Sequence, residues 1–414
     1  MDSPAQFFAK QGIATEESME EAKIMLGECY EDIKKLIPLY IDIPEEKVEL
    51  IAIWIISTYF QQEFESFPFL FLNAMRGSGK TRTLKFISSL GKQGDGSVVN
   101  NLTDAVLFRH PKGVIMCIDE VEQIGSKEKA TLRELLNAAY KKGMKVKRIK
   151  KARVQGVESL ITETFEPYFP IVMANIWGID EVLGDRAITL VLEKSNKPWI
   201  TKKIEDFQVN PKFSDLKVRL TRLADVSAMT LRKKTYITGW NGYIDSKYND
   251  ITTLTTITTI TSEQQENLDR DEFFNKIDEA GIDGRNFELF FPLLVVSKML
   301  NNDIFEKLLK IIKEMVSVRR EDEYAESKDV SLYQFVAEHG KEGNLIAVKD
   351  LTAHFRLFVG DTGNEELWVN EKWMGRALKR LQLVKFKKKF ENGRAVILDT
   401  IKAKEKIKMF QTIE

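Results

Sequence analysis

Apolar residues recur at helical spacing in the first part of the chain, and short unbroken apolar runs follow. Residues 15–38 have this spacing, begin at a threonine that can cap a helix and end at a proline. Residues 44–64 predict a second helix. They begin with a proline, which is common at a helix start, and two glutamates, which the helix dipole favours there. Its most apolar stretch, residues 50–60, has eleven residues, whereas a membrane span needs about 20. We therefore predict a buried helix there.

Short apolar runs predict strands at residues 67–73, 114–118, 169–174 and 187–192. The second and third lack polar alternation, which is typical of parallel strands buried on both faces. The first is followed by a glycine-rich turn and a helical stretch, which together predict the first half-unit of a parallel α/β sheet. Helical spacing returns over 287–316. The threonine- and isoleucine-rich tract 251–262 predicts a linker, and the charged junction 319–329 predicts a domain boundary.

Composition and charge narrow the class of protein. Lys plus Arg and Asp plus Glu both total 62, so any attraction to nucleic acid or membrane must be local. The two cysteines, Cys29 and Cys117, are far apart and lack metal-ligand spacing, which argues against a zinc site and fits a reducing compartment. The first residues lack the basic and apolar regions of a signal peptide. We expect a cytoplasmic protein with no membrane segment.

Residues 74–81, A-M-R-G-S-G-K-T, follow a predicted strand and begin a predicted helix. They match the P-loop pattern G-x-x-x-x-G-K-[ST], except that alanine replaces the first glycine. Glycines let the backbone approach phosphates, the lysine places a charge on the β- and γ-phosphates, and the threonine hydroxyl suits Mg²⁺. The alternative is a chance Gly-Ser-Gly-Lys turn. The predicted ATP-binding residues here are Ala74, Met75, Arg76, Gly77, Ser78, Gly79, Lys80 and Thr81.

A second motif, V-I-M-C-I-D-E at residues 114–120, is an apolar strand that ends in two carboxylates. A buried parallel strand delivers its last side chains to the carboxyl edge of the sheet, where a P-loop also lies. Asp119 would bind the nucleotide's Mg²⁺ together with Thr81, and Glu120 would orient and polarise the attacking water. The alternative is a solvated acidic loop, which the order and spacing of the two motifs disfavour.

Two more residues complete a predicted catalytic set with Glu120. Asn175 ends the run 169–174 and is suited to orient the attacking water, although asparagine also begins turns. Arg186 follows eleven residues later and is suited to reach a neighbouring subunit's γ-phosphate. The alternative for Arg186 is a local ion pair with Asp185.

These motifs make the chain resemble the AAA+ ATPases, and within them the helicase-like ATPases of phages, plasmids and mobile elements. Those ATPases are relatives of the minichromosome-maintenance and superfamily 3 helicases. The resemblance covers residues 50–195 well and the rest weakly. It implies that Asn175 is the first sensor residue, that Arg186 is an arginine finger and that subunits form a ring. Arg219 and Arg222 are both candidates for a second sensor arginine.

The interval between Asp119 and Asn175 contains a basic segment, residues 141–153, in which eight of thirteen residues are basic and none is acidic. In the resembling helicases this interval carries a β-hairpin that grips DNA in a central pore. Lysines and arginines on a hairpin neutralise phosphates without reading sequence. The alternative is a solvated basic surface strand. The predicted contacts to single-stranded DNA are Lys145, Lys147, Arg148, Lys150, Lys151 and Arg153.

A second basic region lies near the C-terminus, where residues 372–408 contain thirteen basic and three acidic residues. Two helical stretches, the second capped by Asn370, precede two apolar–basic runs that flank a Glu-Asn-Gly turn. This order predicts a winged helix that contacts duplex DNA, although winged helices also bind proteins. The predicted contacts are Lys372, Arg376, Lys379, Arg380, Lys387 and Lys388.

The sequence thus predicts an α/β protein built on an AAA+ P-loop core with a parallel sheet. The predicted domains are an N-terminal helical segment (1–65), the ATPase core (66–200), a helical lid with the threonine-rich linker (201–320) and a winged-helix domain (321–414). The expected function is an ATP- and Mg²⁺-dependent motor on DNA, a hexameric replicative helicase. One alternative is an ATP-gated switch or initiator that does not unwind DNA. A small-molecule kinase fits least, since it would leave the basic segment and Arg186 without a role.

Overall fold

In the computed structural model, the described residues are 16–100, 102–121, 129–154, 157–176, 178–179, 181–225, 227–248, 263–326, 328–340, 343–360, 369–390 and 393–407. The chain forms two compact units, Met1–Ile312 and Lys313–Glu414. The predicted linker 251–262 and the predicted turn residues Glu391 and Asn392 lie outside the described residues. The four-part division into domains stays a prediction.

The first unit combines a parallel sheet with many helices. Its strands are β1 (Phe69–Ala74), β2 (Val99–Asn100), β3 (Met116–Asp119), β4 (Val146–Val154), β5 (Val157–Phe165), β6 (Ile171–Asn175) and β7 (Ala187–Leu192). Its first helices are α1 (Glu16–Leu36), α2 (Glu45–Thr58), α3 (Lys80–Leu90), α4 (Asp104–Arg109), α5 (Ala130–Ala139), α6 (Glu181–Gly184) and α7 (Pro198–Thr201). The helices α8 (Pro211–Asp225), α9 (Ser227–Tyr248), α10 (Glu263–Glu279), α11 (Gly284–Leu300) and α12 (Asn302–Glu326) follow. The division between the two units falls within α12.

Five strands form a parallel sheet in the order β2-β3-β6-β1-β7. The side chains of β3 and β6 are buried along their whole length, which explains their unbroken apolar runs. Because all five strands are parallel, their carboxyl ends meet at one edge. There β6 lies between β1 and β3, so the end of β6 separates the loop after β1 from the end of β3. The predicted α/β class with a parallel sheet is confirmed.

Helix α2 is buried from Val48 to Thr58, as predicted for a core helix. Trp54 is fully buried, and its indole N–H donates to the Pro68 carbonyl (3.1 Å) just before β1. The helix ends at Thr58, six residues before the predicted end, and a 3₁₀ turn follows at Gln61–Glu63. No helix among the described residues combines the length and apolar character that crossing a bilayer requires.

The basic segment forms the first strand of an antiparallel hairpin, β4–β5, which is separate from the parallel sheet. Its register places Val146 opposite Phe165 and Arg148 opposite Glu163. Opposed residues share a face, and successive pairs alternate between the two faces.

The second unit contains helices around a small antiparallel sheet. The helices after α12 are α13 (Lys328–His339), α14 (Val348–Phe358), α15 (Glu371–Arg380) and α16 (Thr400–Ile407). The strands β8 (Leu345–Ala347), β9 (Val384–Phe390) and β10 (Gly393–Leu398) form a sheet in the order β8-β10-β9. Asn370 caps α15 by accepting a hydrogen bond from the Trp373 amide (2.9 Å), as predicted. A core of buried side chains from the four helices and β10 includes Phe355, Met374 and Val396, and Ile346 of β8 and Val384 of β9 pack against it. The winged-helix assignment stays a prediction.

Candidate functional site

The loop between β1 and α3 has the backbone that a phosphate cradle requires. Gly77 and Gly79 both have positive φ, 75° and 85°, in the region that glycine adopts without strain. A Cβ at Gly79 would meet no atom within 4 Å, so open space borders the loop there. Ala74, in place of the pattern's first glycine, is the last residue of β1 and does not have a positive φ. Its methyl group therefore causes no backbone strain.

The side chains of the loop and of β3 converge at the carboxyl edge of the sheet. Lys80 Nζ lies 3.0 Å from Asp119 Oδ1, and Thr81 Oγ1 donates to Asp119 Oδ2 at 2.8 Å. Asp119 is only 5% exposed, so this carboxylate is presented to the loop and shielded from solvent. The hydroxyl of Ser78 is buried and has no hydrogen-bond partner among the described residues.

These residues fit a nucleoside triphosphate with Mg²⁺. The positive-φ glycines and the start of α3 direct backbone N–H groups toward an anion, and the Ser78 hydroxyl has an unused hydrogen-bonding capacity. Thr81 and Asp119 supply hard oxygen ligands. The described residues contain no cluster of three or more His, Cys, Asp or Glu side chains that would hold a metal by itself. A site with few protein ligands suits Mg²⁺ that is bound largely through substrate phosphates.

Glu120 leaves the strand in an unusual conformation. Its φ is +59°, and its amide donates to the Ala174 carbonyl (3.1 Å) and to Asp119 Oδ1 (3.0 Å). A left-handed conformation costs a residue other than glycine about 1–2 kcal/mol, and such residues concentrate at functional sites. The turn exposes the Glu120 side chain while the preceding Asp119 stays buried. The two adjacent carboxylates therefore have different environments.

Asn175 lies between the P-loop and Asp119 because β6 lies between β1 and β3. Its register partner on β1 is Asn73. The Asn175 side chain is buried, accepts a hydrogen bond from the Ile176 amide (2.6 Å) and donates one to the Gly178 carbonyl (2.7 Å). Asn175 therefore stabilises the turn after β6, which is the alternative role that the sequence left open. The water-orienting role stays a prediction, at an edge position that suits it.

Arg186 lies just before β7, at the amino ends of the parallel strands, whereas the P-loop lies at their carboxyl ends. Its carbonyl accepts a hydrogen bond from the Phe69 amide (3.0 Å) at the start of β1. Since β1 has six residues, at about 3.3 Å each, roughly 20 Å separates Arg186 from the P-loop. The Arg186 guanidinium donates to the Val182 carbonyl, while Asp185 accepts from Arg285 (2.9 Å).

Of the two candidates for a second sensor arginine, Arg219 contacts carboxylates elsewhere. Its guanidinium bonds Asp215 Oδ2 (2.9 Å) on its own helix and Asp32 on α1, which links α8 to α1. Arg222 is exposed.

The inner face of the hairpin holds two of the predicted DNA contacts in an ion-pair cluster. Arg148 donates to Glu163 Oε2 through Nε (2.9 Å) and Nη2 (2.8 Å), and Lys150 Nζ donates to Glu163 Oε1 (3.1 Å). The Arg148 guanidinium also lies 4.4 Å from the ring centroid of Phe108. Arg148 and then Lys150 hold the pKa of Glu163 below its usual range, so its carboxylate is ionised at neutral pH.

The outer face of the hairpin is free of that cluster. Lys147, opposite Thr164, is exposed, as is Lys145 just before the strand. Ile149 and Leu160 on the same face are 71% and 69% exposed. The side chains of the predicted contacts Lys151 and Arg153 lie outside the described residues. The structure therefore separates Lys145 and Lys147, which are available to phosphates, from Arg148 and Lys150.

The predicted C-terminal contacts lie on two elements of the second unit. Helix α15 buries Met374, Ala377 and Leu378 and exposes the opposite side. The exposed basic residues of that helix are Lys372, Arg376, Lys379 and Arg380. Arg380 pairs with Asp329 of α13. Lys387 and Lys388 are exposed neighbours on β9, so they lie on opposite faces of the sheet.

Comparisons with known proteins add little. No family model matches this sequence, and no curated protein matches it. One solved structure is described as "The A form apo structure of NrS-1 C terminal region-CTR(305-718)". It aligns with 89% of this chain and 75% of its own, at 13% identity and a TM-score of 0.29. A similarity this low supports no inference about fold or function.

Proposed function

We propose that this protein is an ATP hydrolase that works as a motor on single-stranded DNA. The observation that carries the proposal is the convergence of Lys80 and Thr81 on the buried carboxylate of Asp119, beside a loop with two positive-φ glycines. That arrangement serves the binding of a triphosphate, and the neighbouring exposed Glu120 is suited to take a proton from water.

Each residue would contribute a separate action. Lys80, now paired with Asp119, would exchange that carboxylate for phosphate oxygens when ATP binds. Thr81 and Asp119 would hold Mg²⁺, which neutralises phosphate charge when bound. Glu120 would accept the proton of the attacking water, and the Asn175 amide would hold that water in place.

The site would be completed by a neighbouring subunit in a hexameric ring. Arg186 lies at the sheet edge opposite its own P-loop, so it would serve the site of the next subunit. The hairpin β4–β5 would bind single-stranded DNA through Lys145 and Lys147. ATP hydrolysis would then move the hairpin along the DNA. This is the replicative helicase that the sequence favours. An ATP-gated assembly switch would use the same nucleotide site without moving DNA.

Nucleotide binding tests the core of the proposal. Lys80→Ala should weaken ATP binding by about tenfold to a hundredfold, because it removes a charge-assisted contact with the phosphates. Lys85→Ala is the matched control, since Lys85 lies on the same helix and pairs with Glu205 (3.0 Å) away from the loop. Titration with a fluorescent ATP analogue measures both. Equal affinity for the two variants would remove Lys80 from the binding site.

Salt-dependent DNA binding tests the hairpin. Replacing Lys145 and Lys147 by Ala should flatten the log–log salt dependence of single-strand binding by about 1.4, at about 0.7 for each lost phosphate contact. Lys150→Ala should change the slope less than either of those changes, because the Lys150 ammonium is hydrogen-bonded to Glu163 rather than free to meet a phosphate. Basal ATPase activity should persist in both variants.

The same double variant separates the motor from the switch. Loss of DNA-stimulated ATPase activity and of strand displacement would support the motor. An unchanged salt slope with unchanged stimulation would instead assign the hairpin to a solvated surface, and the protein would fit the switch better.

A further inference from the structure

The small sheet of the second unit has one face in the core and one face outside it. Val396 and Leu398 of β10 belong to the hydrophobic core. Side chains alternate along a strand, so Ala395 and Ile397 lie on the opposite, outer face. The register places Phe386 opposite Ile397 and Lys388 opposite Ala395. An irregularity between Ile397 and Leu398 shifts the register there. It allows Val384 to pack against the core while Phe386, two residues on, lies on the outer face.

The two flanking strands expose apolar side chains on this face, whereas Ala395 of the central strand β10 is buried. Phe386 is 53% exposed, Phe390 is 46% exposed and Leu345, opposite Ile397 on β8, is 43% exposed. Fully burying a phenylalanine side chain contributes a favourable free energy of about 1.5–3 kcal/mol, so two half-exposed rings on one face forgo part of that stabilisation. Four residues of strand place the two rings about 13 Å apart, so each offers its own stacking surface.

The same strand is strongly basic. Lys385, Lys387, Lys388 and Lys389 all lie on β9, Arg394 follows on β10, and β8–β10 contain no acidic residue. Lys385 lies 3.7 Å from Asp399. Lys388 Nζ lies 5.3 Å from the ring centroid of Phe390, so charge and aromatic surface are adjacent. Lysines on an edge strand also discourage strand-to-strand aggregation, but that role does not account for exposed phenylalanines between them.

We propose that the outer face of this sheet is a stacking platform for single-stranded DNA, with bases on Phe386 and Phe390 and a phosphate near Lys388, the lysine of β9 that shares this face. Aromatic rings interleaved with lysines fit a polyanion whose bases are unpaired, because duplex bases have no free faces. The side chains that the structure describes on the outer face include no hydrogen-bond acceptor, so none of them would accept a hydrogen bond from a ribose 2′-hydroxyl. This assigns a single strand to a region whose sequence predicts duplex contacts.

The test measures binding of the full chain to an oligothymidylate, to an oligouridylate of equal length and to a duplex, without nucleotide. Phe386→Leu and Phe390→Leu keep apolar volume but remove the aromatic ring. Each should weaken oligothymidylate binding by about fivefold or more, with an unchanged salt slope because no charge is lost. Phe386→Tyr and Phe390→Tyr, which retain a ring, should bind like the parent. Lys388→Ala should flatten the slope by about 0.7.

Three outcomes would contradict the platform. If both leucine variants bind oligothymidylate like the parent, or if duplex binding falls as much as single-strand binding, the rings do not stack on unpaired bases. Tighter binding of the parent to oligouridylate than to oligothymidylate would contradict the choice of DNA. Leu357→Ala, at another exposed apolar residue (71%) of this unit, should leave all three affinities unchanged.

This design distinguishes failure of the proposed platform from failure of the proposed motor. Because no ATP is present, loss of hydrolysis cannot imitate its failure. Repeating the leucine series with Lys145→Ala and Lys147→Ala already in place removes the hairpin's contribution, and the fold-change from each ring should stay the same. A ring effect that vanishes in this background would mean that the phenylalanines act only through the hairpin, which would also contradict the proposal.

Discussion

Glu120→Gln should bind ATP with parental affinity and hydrolyse it at least a hundredfold more slowly. Glutamine keeps the size and the hydrogen-bonding geometry of the side chain but cannot accept the proton of the attacking water, and general-base catalysis contributes about 10²–10⁴-fold. Binding should not change, because Lys80, Thr81 and Asp119 are untouched. Single-turnover hydrolysis, measured after binding is saturated, separates the two quantities.

The control for this change is Glu134→Gln, at an exposed glutamate on α5. It should hydrolyse ATP at the parental rate. Thermal melting without nucleotide should be nearly the same for both variants, since glutamine accepts the same backbone conformation as glutamate at residue 120. If Glu120→Gln retains the parental rate, Glu120 is not the carboxylate that activates water, and its left-handed conformation needs another explanation.

The central strands and the loop between them were predictable because their signals are local. A buried parallel strand reads as an unbroken apolar run, and β1, β3 and β6 all begin and end within two residues of the runs that predict them. The P-loop glycines are likewise local, since their positive φ angles are properties of single residues. That Asp119 lies at the same edge as the loop of Lys80 and Thr81 was expected from the rule that parallel strands end at one edge, whereas their direct contact was not predicted.

Other features depend on tertiary structure that no short segment encodes. Strand β2 has two residues and no periodicity to detect, so the sequence does not predict it. Pairing of Arg148 and Lys150 with Glu163 depends on the hairpin register, which the composition of residues 141–153 does not contain. The exposure of Phe386 and Phe390 was missed for the same reason. The two phenylalanines and the lysines between them are visible in the sequence, but the face of the strand that would meet the core is not.

The catalytic candidates lie at two opposite ends of the parallel strands. Lys80, Asp119 and Asn175 occupy the carboxyl edge of the sheet, whereas Arg186 lies at the amino edge, roughly 20 Å away along β1. That distance is far beyond the reach of an arginine side chain, so Arg186 can contribute to hydrolysis only at the site of another chain. The activity of the parent protein should then rise with protein concentration as subunits assemble.

Arg186→Ala should therefore bind ATP normally and hydrolyse it about a thousandfold more slowly, the usual effect of losing an arginine finger. Its fold should be nearly unaffected, since the lost hydrogen bond to the Val182 carbonyl contributes only about 1 kcal/mol. Arg186→Lys should recover little, because an ammonium lacks the planar fork of the guanidinium. Steady-state hydrolysis and ATP titration measure these effects.

Mixing variants decides whether the arginine acts between subunits. Lys80→Ala protein has a defective P-loop and an intact Arg186, whereas Arg186→Ala protein has the reverse. An interface that joins the P-loop of the second to the arginine of the first is complete, so the mixture should hydrolyse ATP faster than either protein alone. Sizing of differently tagged chains shows whether mixed oligomers form. If they form and activity does not recover, the shared site is wrong, and Arg186 serves only the turn that precedes β7.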